Sequence, residues 1–305
     1  MKSIVLAVLL FSIITKAQNF VIPLWSGDIP NYQEVGEVEL LKNSSSTEHY
    51  KLVTKPNISV FLPSSNNRTG QAVLVIPGGG YQAIVHIWEG EDIAKWLNSN
   101  GIVAIVLKYR LPTAKSNIIS HKSPLLDASR AMKIIRENAE EWHIDKNNIG
   151  VMGFSAGGHL ASTLGTHYDN DENRQFDRID SISSQPDFMV LMYPVITMDE
   201  RFTHMGSRNN LLGENPSPEL VGYYSNEKQV TETTPPTMIF HSSDDAVVPV
   251  ENSTAFYKAL QEKKIDSEMH IFQHGKHGFA LANGKGHLEL WKSLCKDWLR
   301  NYNLK

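Results

Sequence analysis

The sequence predicts a doubly wound α/β fold, with a mostly parallel central sheet and helices on both faces. Three observations lead there. From residue 71 onward, short unbroken apolar runs recur at near-regular spacing. Amphipathic stretches of helical period lie between them. The segment Ile149 to Ala161 reads as a strand, a sharp turn and a helix start in immediate succession.

The chain has 305 residues, 41% of them hydrophobic and 20% charged, a balance able to bury a core and unlike that of a disordered chain. At the N-terminus, Lys2 precedes the apolar run Ile4 to Ile14, and the small residue Ala17 follows. This pattern predicts a signal peptide over residues 1–17, cleaved after Ala17, and a secreted or periplasmic product. The run is too short for a membrane span of about 20 residues, and no cysteine follows it as a lipid anchor would require.

One domain is expected from residue 20 to 305. Residues 18–70 carry short alternating runs such as Ile58 to Leu62, which predict antiparallel edge strands. The buried strands expected next are Val73–Ile76, Ile102–Leu107, Ile149–Met152, Phe188–Met192, Met238–Phe240 and Met269–Phe272. Helices are expected around Ile93, Trp96 and Leu97, from Leu125 to Ile135, and around Ala255, Phe256 and Leu260. Residues 197–236 hold Met198, His204, Met205 and Gly206 with several prolines and no strand signal, which predicts an insertion forming a lid or a substrate wall. The single cysteine, Cys295, lies in an apolar helical pattern and is expected to be a buried thiol without function.

Composition excludes some functions. A formal net charge of −4 offers no broad cationic surface for nucleic acid. There are 12 histidines, but they show no ligand spacing and no cysteine pair accompanies them, so neither a metal nor another cofactor is expected.

The chemistry gathers around Gly153-Phe154-Ser155-Ala156-Gly157. A serine on a tight strand-to-helix turn needs small neighbours two residues away on either side, and the following helix points its N-terminus at the site. A serine hydroxyl needs a base to take its proton and an acid to orient that base. His277, in Gly275-Lys276-His277-Gly278, is preferred over His274 as the base. His159 is expected to pack on the helix, and His270 to lie in a strand. Asp244 is preferred over its neighbour Asp245 as the acid, with Asp245 expected to cap the helix beginning near Val250; no spacing separates the two. Pro77-Gly78-Gly79-Gly80-Tyr81 follows a predicted strand, so the N–H groups of Gly79, Gly80 and Ala156 are the expected oxyanion donors. Tyr81, next to that loop, is the aromatic expected to stack on a sugar; Trp88, Tyr109, Tyr223 and Tyr224 are assigned to packing.

These segments, together with Glu89-Gly90-Glu91, Lys108-Tyr109-Arg110-Leu111-Pro112, Tyr193-Pro194-Val195, Ser207-Arg208, Leu211-Leu212-Gly213 and Asp244 to Pro249, carry a resemblance that spans residues 71–285. The sequence resembles the acetyl-xylan-esterase-like branch of the α/β-hydrolases, related to hormone-sensitive-lipase-type and feruloyl esterases. The resemblance implies the α/β-hydrolase fold, an acylated carbohydrate as substrate, and removal of acetyl or other small acyl groups from plant polysaccharides. Pro77 stands where the hormone-sensitive-lipase branch has histidine, which favours the carbohydrate side. A prolyl-peptidase-like peptidase, a feruloyl or general short-chain esterase, and a carbohydrate-binding protein without chemistry are the alternatives.

Overall fold

The computed structural model describes residues 19–44, 47–168 and 177–302. The predicted signal peptide lies outside the described residues. Eleven strands occur among them: β1 Asn19–Pro23, β2 Leu40–Ser44, β3 Thr47–Lys51, β4 Asn57–Phe61, β5 Ala72–Ile76, β6 Ile84–Val85, β7 Val103–Lys108, β8 Ile149–Phe154, β9 Met189–Met192, β10 Thr237–Ser242 and β11 Ser267–Phe272. The helices are α1 Asp92–Ser99, α2 Lys122–Glu137, α3 Ala156–His167, α4 Met205–Leu212, α5 Pro218–Tyr224, α6 Glu251–Glu262 and α7 Trp291–Asn301.

Eight strands form the central sheet in the order β1-β4-β7-β5-β8-β9-β10-β11. The six apolar runs read from the sequence are its six parallel strands, β7 to β11 with β5. The two N-terminal strands pair antiparallel at one edge, as their alternating pattern implies. β2 and β3 depart from the expectation: they form a hairpin that joins β6 in a separate three-stranded sheet.

The alternation of side chains along each strand sorts the core into two layers. Leu74, Ile76, Val151 and Leu191 pack against Ala131 and Met132 of α2, Leu160 and Leu164 of α3, and Phe256 and Leu260 of α6. Val73, Val75, Met152 and Val190 face the other way, onto Ile93 and Leu97 of α1 and onto Trp291 and Cys295 of α7. Helices therefore cover both faces. Cys295 is fully buried, and burial pushes its thiol pKa up, so it is an inert packing residue.

Arg110, just past β7, makes a fully buried ion pair with Asp127 of α2. Its Nε and Nη2 donate to the carboxylate at 2.9 and 2.8 Å, and Nη1 donates to the carbonyl of Pro30 at 2.6 Å. The indole N–H of Trp25 donates to the same carboxylate at 3.0 Å. One buried pair thus ties the N-terminal segment to the sheet edge and to α2. Removing one partner leaves the other charged group buried and uncompensated, which costs far more than removing both. Arg110→Met is expected to lower stability by about 3–5 kcal/mol in urea unfolding, and the double variant Arg110→Met/Asp127→Leu to recover most of that loss.

Candidate active site

β8 ends in the turn that carries Ser155, whose backbone adopts φ 51°, ψ −119°. That conformation is costly for a side-chain-bearing residue and persists only where the surroundings impose it. The imposition is visible: Ser155 N donates to the carbonyl of Met192 at 3.0 Å, and Ser155 O accepts from Val195 N at 3.0 Å. Gly153 and Gly157 make the turn possible. A Cβ on Gly153 would stand 2.4 Å from the Gly157 carbonyl oxygen, and one on Gly157 would stand 2.2 Å from that of Ile76. The sharp return of α3 beneath the sheet leaves no room for either.

His277 Nε2 lies 2.8 Å from Ser155 Oγ, and His277 Nδ1 lies 2.7 Å from Asp245 Oδ2. The structure brings together Ser155 and His277, the two residues that the sequence pairs. The carboxylate that it brings to the imidazole is not the expected Asp244 but its neighbour Asp245. Asp244 Oδ1 instead accepts from the backbone N–H groups of Gly275 and Lys276, at 2.9 and 2.8 Å. It shapes the turn that delivers His277. Nor is Asp245 a helix cap: its Oδ1 accepts from Val247 N and Val248 N, both at 2.9 Å, short of the start of α6 at Glu251. Such a local turn is a common use of aspartate.

The Asp245 side chain is fully buried. Burial alone would raise its pKa, but hydrogen bonds from His241, His277 and the Val248 N–H hold it well below the usual carboxylate range. The charged form of Asp245 is therefore favoured, and its carboxylate accepts from the Nδ1–H of His277 and holds the ring in place. His274 is exposed, 3.5 Å from Asp244, and takes no part in the chain.

The glycine loop lies against the elbow, where a Cβ on Gly78 would stand 2.9 Å from Ser155 Cβ. Gly79, at φ +129°, accepts from both Gln82 N and Ala83 N through its carbonyl, which turns the loop tightly. The N–H groups of Gly79, Gly80 and Ala156 donate to no acceptor among the described residues. Gly78 N is different, donating to Glu89 Oε2 at 2.8 Å.

Glu89 is a member of the site that residue-level reasoning passed over. It is buried, accepts from Tyr193 Oη at 2.8 Å, and burial raises its pKa. Tyr193 Oη accepts in turn from Ala280 N at 3.1 Å, and its ring stands 5.0 Å from that of His277. One hydrogen-bonded chain thus links the glycine loop to the histidine loop. Glu89-Gly90-Glu91 stands among the segments that carry the family resemblance, but neither that nor its place behind a glycine loop separates a buried glutamate from an exposed one.

Tyr81 does not face a ligand. At φ 58° it turns inward, is 1% exposed, and its hydroxyl lies 2.8 Å from His159 Nδ1. His159 Nε2 lies 2.8 Å from the Tyr224 carbonyl, which can only accept, so Nε2 carries the proton and Nδ1 accepts from Tyr81. His159 is thus the packing residue that the sequence predicted. Trp88 is the aromatic that meets solvent beside the site. It is 42% exposed, and its indole N–H donates to the Gly278 carbonyl, one residue past His277, at 3.1 Å.

The inserted segment between β9 and β10 carries α4 and α5. It forms a wall, because Asn210 of α4 donates to the Gly80 carbonyl at 2.8 Å and His204 precedes α4 beside the same glycine. Among the described residues, no cluster of acidic, histidine or cysteine side chains could hold a metal, and no helix is long and apolar enough to cross a membrane.

Burial lowers the pKa of His159 to about 4, while the unfolded value stays near 6.5. Between those values the unfolded chain takes up a proton that the native ring refuses. Stability is therefore lost as pH falls through this window, by on the order of 3 kcal/mol. The imidazole resonances of His159 are expected to titrate near pH 4; a midpoint near 6.5 would contradict the buried, doubly bonded ring.

The chain matches the BD-FAE family over residues 58–260. It is 36% identical over 252 residues to the acetylxylan esterase of Xylanibacter ruminicola, covering 81% of this chain and 48% of that one. It is 42% identical over 228 residues to the endo-1,4-β-xylanase B of Butyrivibrio fibrisolvens, covering 75% and 35%. The chain thus spans less than half the length of either curated relative. Among solved structures, the acetyl ester-xyloside bifunctional hydrolase of Caldicellulosiruptor lactoaceticus superposes with a TM-score of 0.80 at 40% identity, covering 93% of this chain and 96% of that one. With the sheet order and the elbow described above, these similarities show that the chain belongs to the BD-FAE family and is an acetyl-xylan-esterase-like protein of the α/β-hydrolase fold.

Proposed function

We propose that the protein is a serine carboxylic ester hydrolase that removes acetyl groups from acetylated xylo-oligosaccharides. The observation that carries this reading is the continuous chain from Ser155 Oγ through His277 to the buried Asp245, set beside N–H groups with no acceptor among the described residues. The acetylxylan esterase and acetyl ester-xyloside hydrolase among its relatives support the substrate class.

In this mechanism Ser155 Oγ attacks the acyl carbon while its proton passes to His277 Nε2. Asp245 offsets the positive charge that develops on the imidazole. The carbonyl oxygen becomes an oxyanion held by the N–H groups of Ala156 and of Gly79 or Gly80, each such donor worth on the order of 3 kcal/mol of barrier. Collapse of the tetrahedral intermediate breaks the ester bond, and the departing sugar hydroxyl takes the proton from His277. Water then gives a proton to His277 and attacks the acetyl-serine; acetate leaves, and Ser155 recovers its proton. Trp88 replaces Tyr81 as the aromatic surface for the sugar ring, since it is exposed and fixed to the backbone next to His277.

Export completes the reading. The pattern of Lys2, the apolar run to Ile14 and Ala17 supports cleavage after Ala17 and action outside the cytoplasm, where polymer fragments are met.

Acetate release from acetylated xylo-oligosaccharides tests the proposal. Ser155→Ala is expected to abolish it. Asp245→Asn, which holds the imidazole in the wrong tautomer, should lower kcat by about 10³–10⁴-fold, whereas Asp244→Asn should cost no more than about tenfold. Equal losses for the two aspartate variants would defeat the assignment. Trp88→Ala should raise KM roughly fivefold, the equivalent of about 1 kcal/mol of stacking.

A further inference from the structure

His204 stands at the start of α4, half-buried, with its ring against the glycine loop. Its Cε1 lies 3.7 Å from the point that a Cβ on Gly80 would occupy. Asn210 of the same helix donates to the Gly80 carbonyl, so the ring and the loop are held as one unit.

The hydrogen bonds of the ring fix its tautomer. His204 Nδ1 lies 2.8 Å from Ser207 Oγ and 3.3 Å from Ser207 N. A backbone N–H can only donate, so Nδ1 accepts, and a neutral ring then carries its proton on Nε2. Burial, then the neighbouring His277, lowers the pKa of His204, while Asp245 acts in the opposite direction; the ring is neutral at pH 7. Nε2 has no acceptor among the described residues. The result is a fixed N–H donor beside the glycine loop, near enough to His277 and Asp245 for both to act on its protonation.

The chemistry of the substrate narrows what that donor can meet. An acetyl methyl accepts no hydrogen bond, and the oxyanion already has backbone donors in the glycine loop and at the start of α3. The sugar is the acceptor-rich part, with its hydroxyls and ring oxygen.

We propose that His204 donates a hydrogen bond from Nε2–H to an oxygen of the sugar that bears the ester, and so sets the preference for acetylated sugars over other acetyl esters. This inference rests on the sugar-ester reading given above.

The test compares kcat/KM for acetylated xylotriose and 4-nitrophenyl acetate in wild type, His204→Ala and His204→Gln, with the thermal midpoint of each recorded. The expected result is a roughly tenfold fall in the ratio of the two values for His204→Ala. His204→Gln, whose amide reaches the position of Nε2, should recover a large part of it. An unchanged ratio in His204→Ala overturns the inference whatever happens to the absolute rates, because a folding defect or a lost oxyanion contact lowers both substrates alike. Wild-type enzyme that cleaves 4-nitrophenyl acetate but releases nothing from acetylated xylotriose overturns the sugar-ester reading as well, and that failure is visible before any variant is made.

Discussion

The backbone of Ser155 is the constraint on which the rest of the site depends. A serine held at φ 51° is strained, and every neighbouring element works to hold it there. β9 receives its N–H and the chain after β9 donates to its carbonyl, while Gly153 and Gly157 admit α3 at a distance no side chain would permit. The strain aims the hydroxyl out of the sheet edge, where two loops can meet it. It also places the first N–H of α3 beside that hydroxyl, at the helix end that favours developing negative charge.

Those two loops are tied to each other as well as to the elbow. Glu89 holds Gly78 from below, Tyr193 holds Glu89, and the N–H of Ala280 holds Tyr193, so the glycine loop and the histidine loop share one buried network. Preorganised donors are effective because nothing reorganises when charge appears. The two aspartates divide the same work between them. Asp244 sets the backbone of the turn before His277, and Asp245 sets its ring. Adjacent side chains on a turn point apart, so each can do only one of these.

Much of this was legible in the sequence. Six apolar runs became six parallel strands, because strands buried on both faces leave an unbroken apolar signature that little else produces. Ser155 and His277 were found because a glycine-framed turn is a backbone demand, and backbone demands are written in residue type. The choice between Asp244 and Asp245 was not legible, since it depends on which way one peptide turns after β10. Tyr81 misled for a related reason: proximity along the chain to the glycine loop said nothing of its positive φ, which drives the ring inward to His159. Trp88 was assigned to packing, and His204 was placed in the inserted segment with no role of its own, because exposure and tautomer are properties of tertiary contacts. The edge strands expected over residues 18–70 divide between two sheets, because an alternating pattern carries no information about which sheet a strand joins.

In the proposed mechanism Ser155 is the nucleophile because the fold strains it into position. Mass spectrometry of the folded protein after reaction with a fluorophosphonate probe tests this most directly. A single adduct is expected on the peptide containing Ser155, with none after unfolding. An adduct on another residue, or no adduct on folded protein that still releases acetate from acetylated xylo-oligosaccharides, would contradict it.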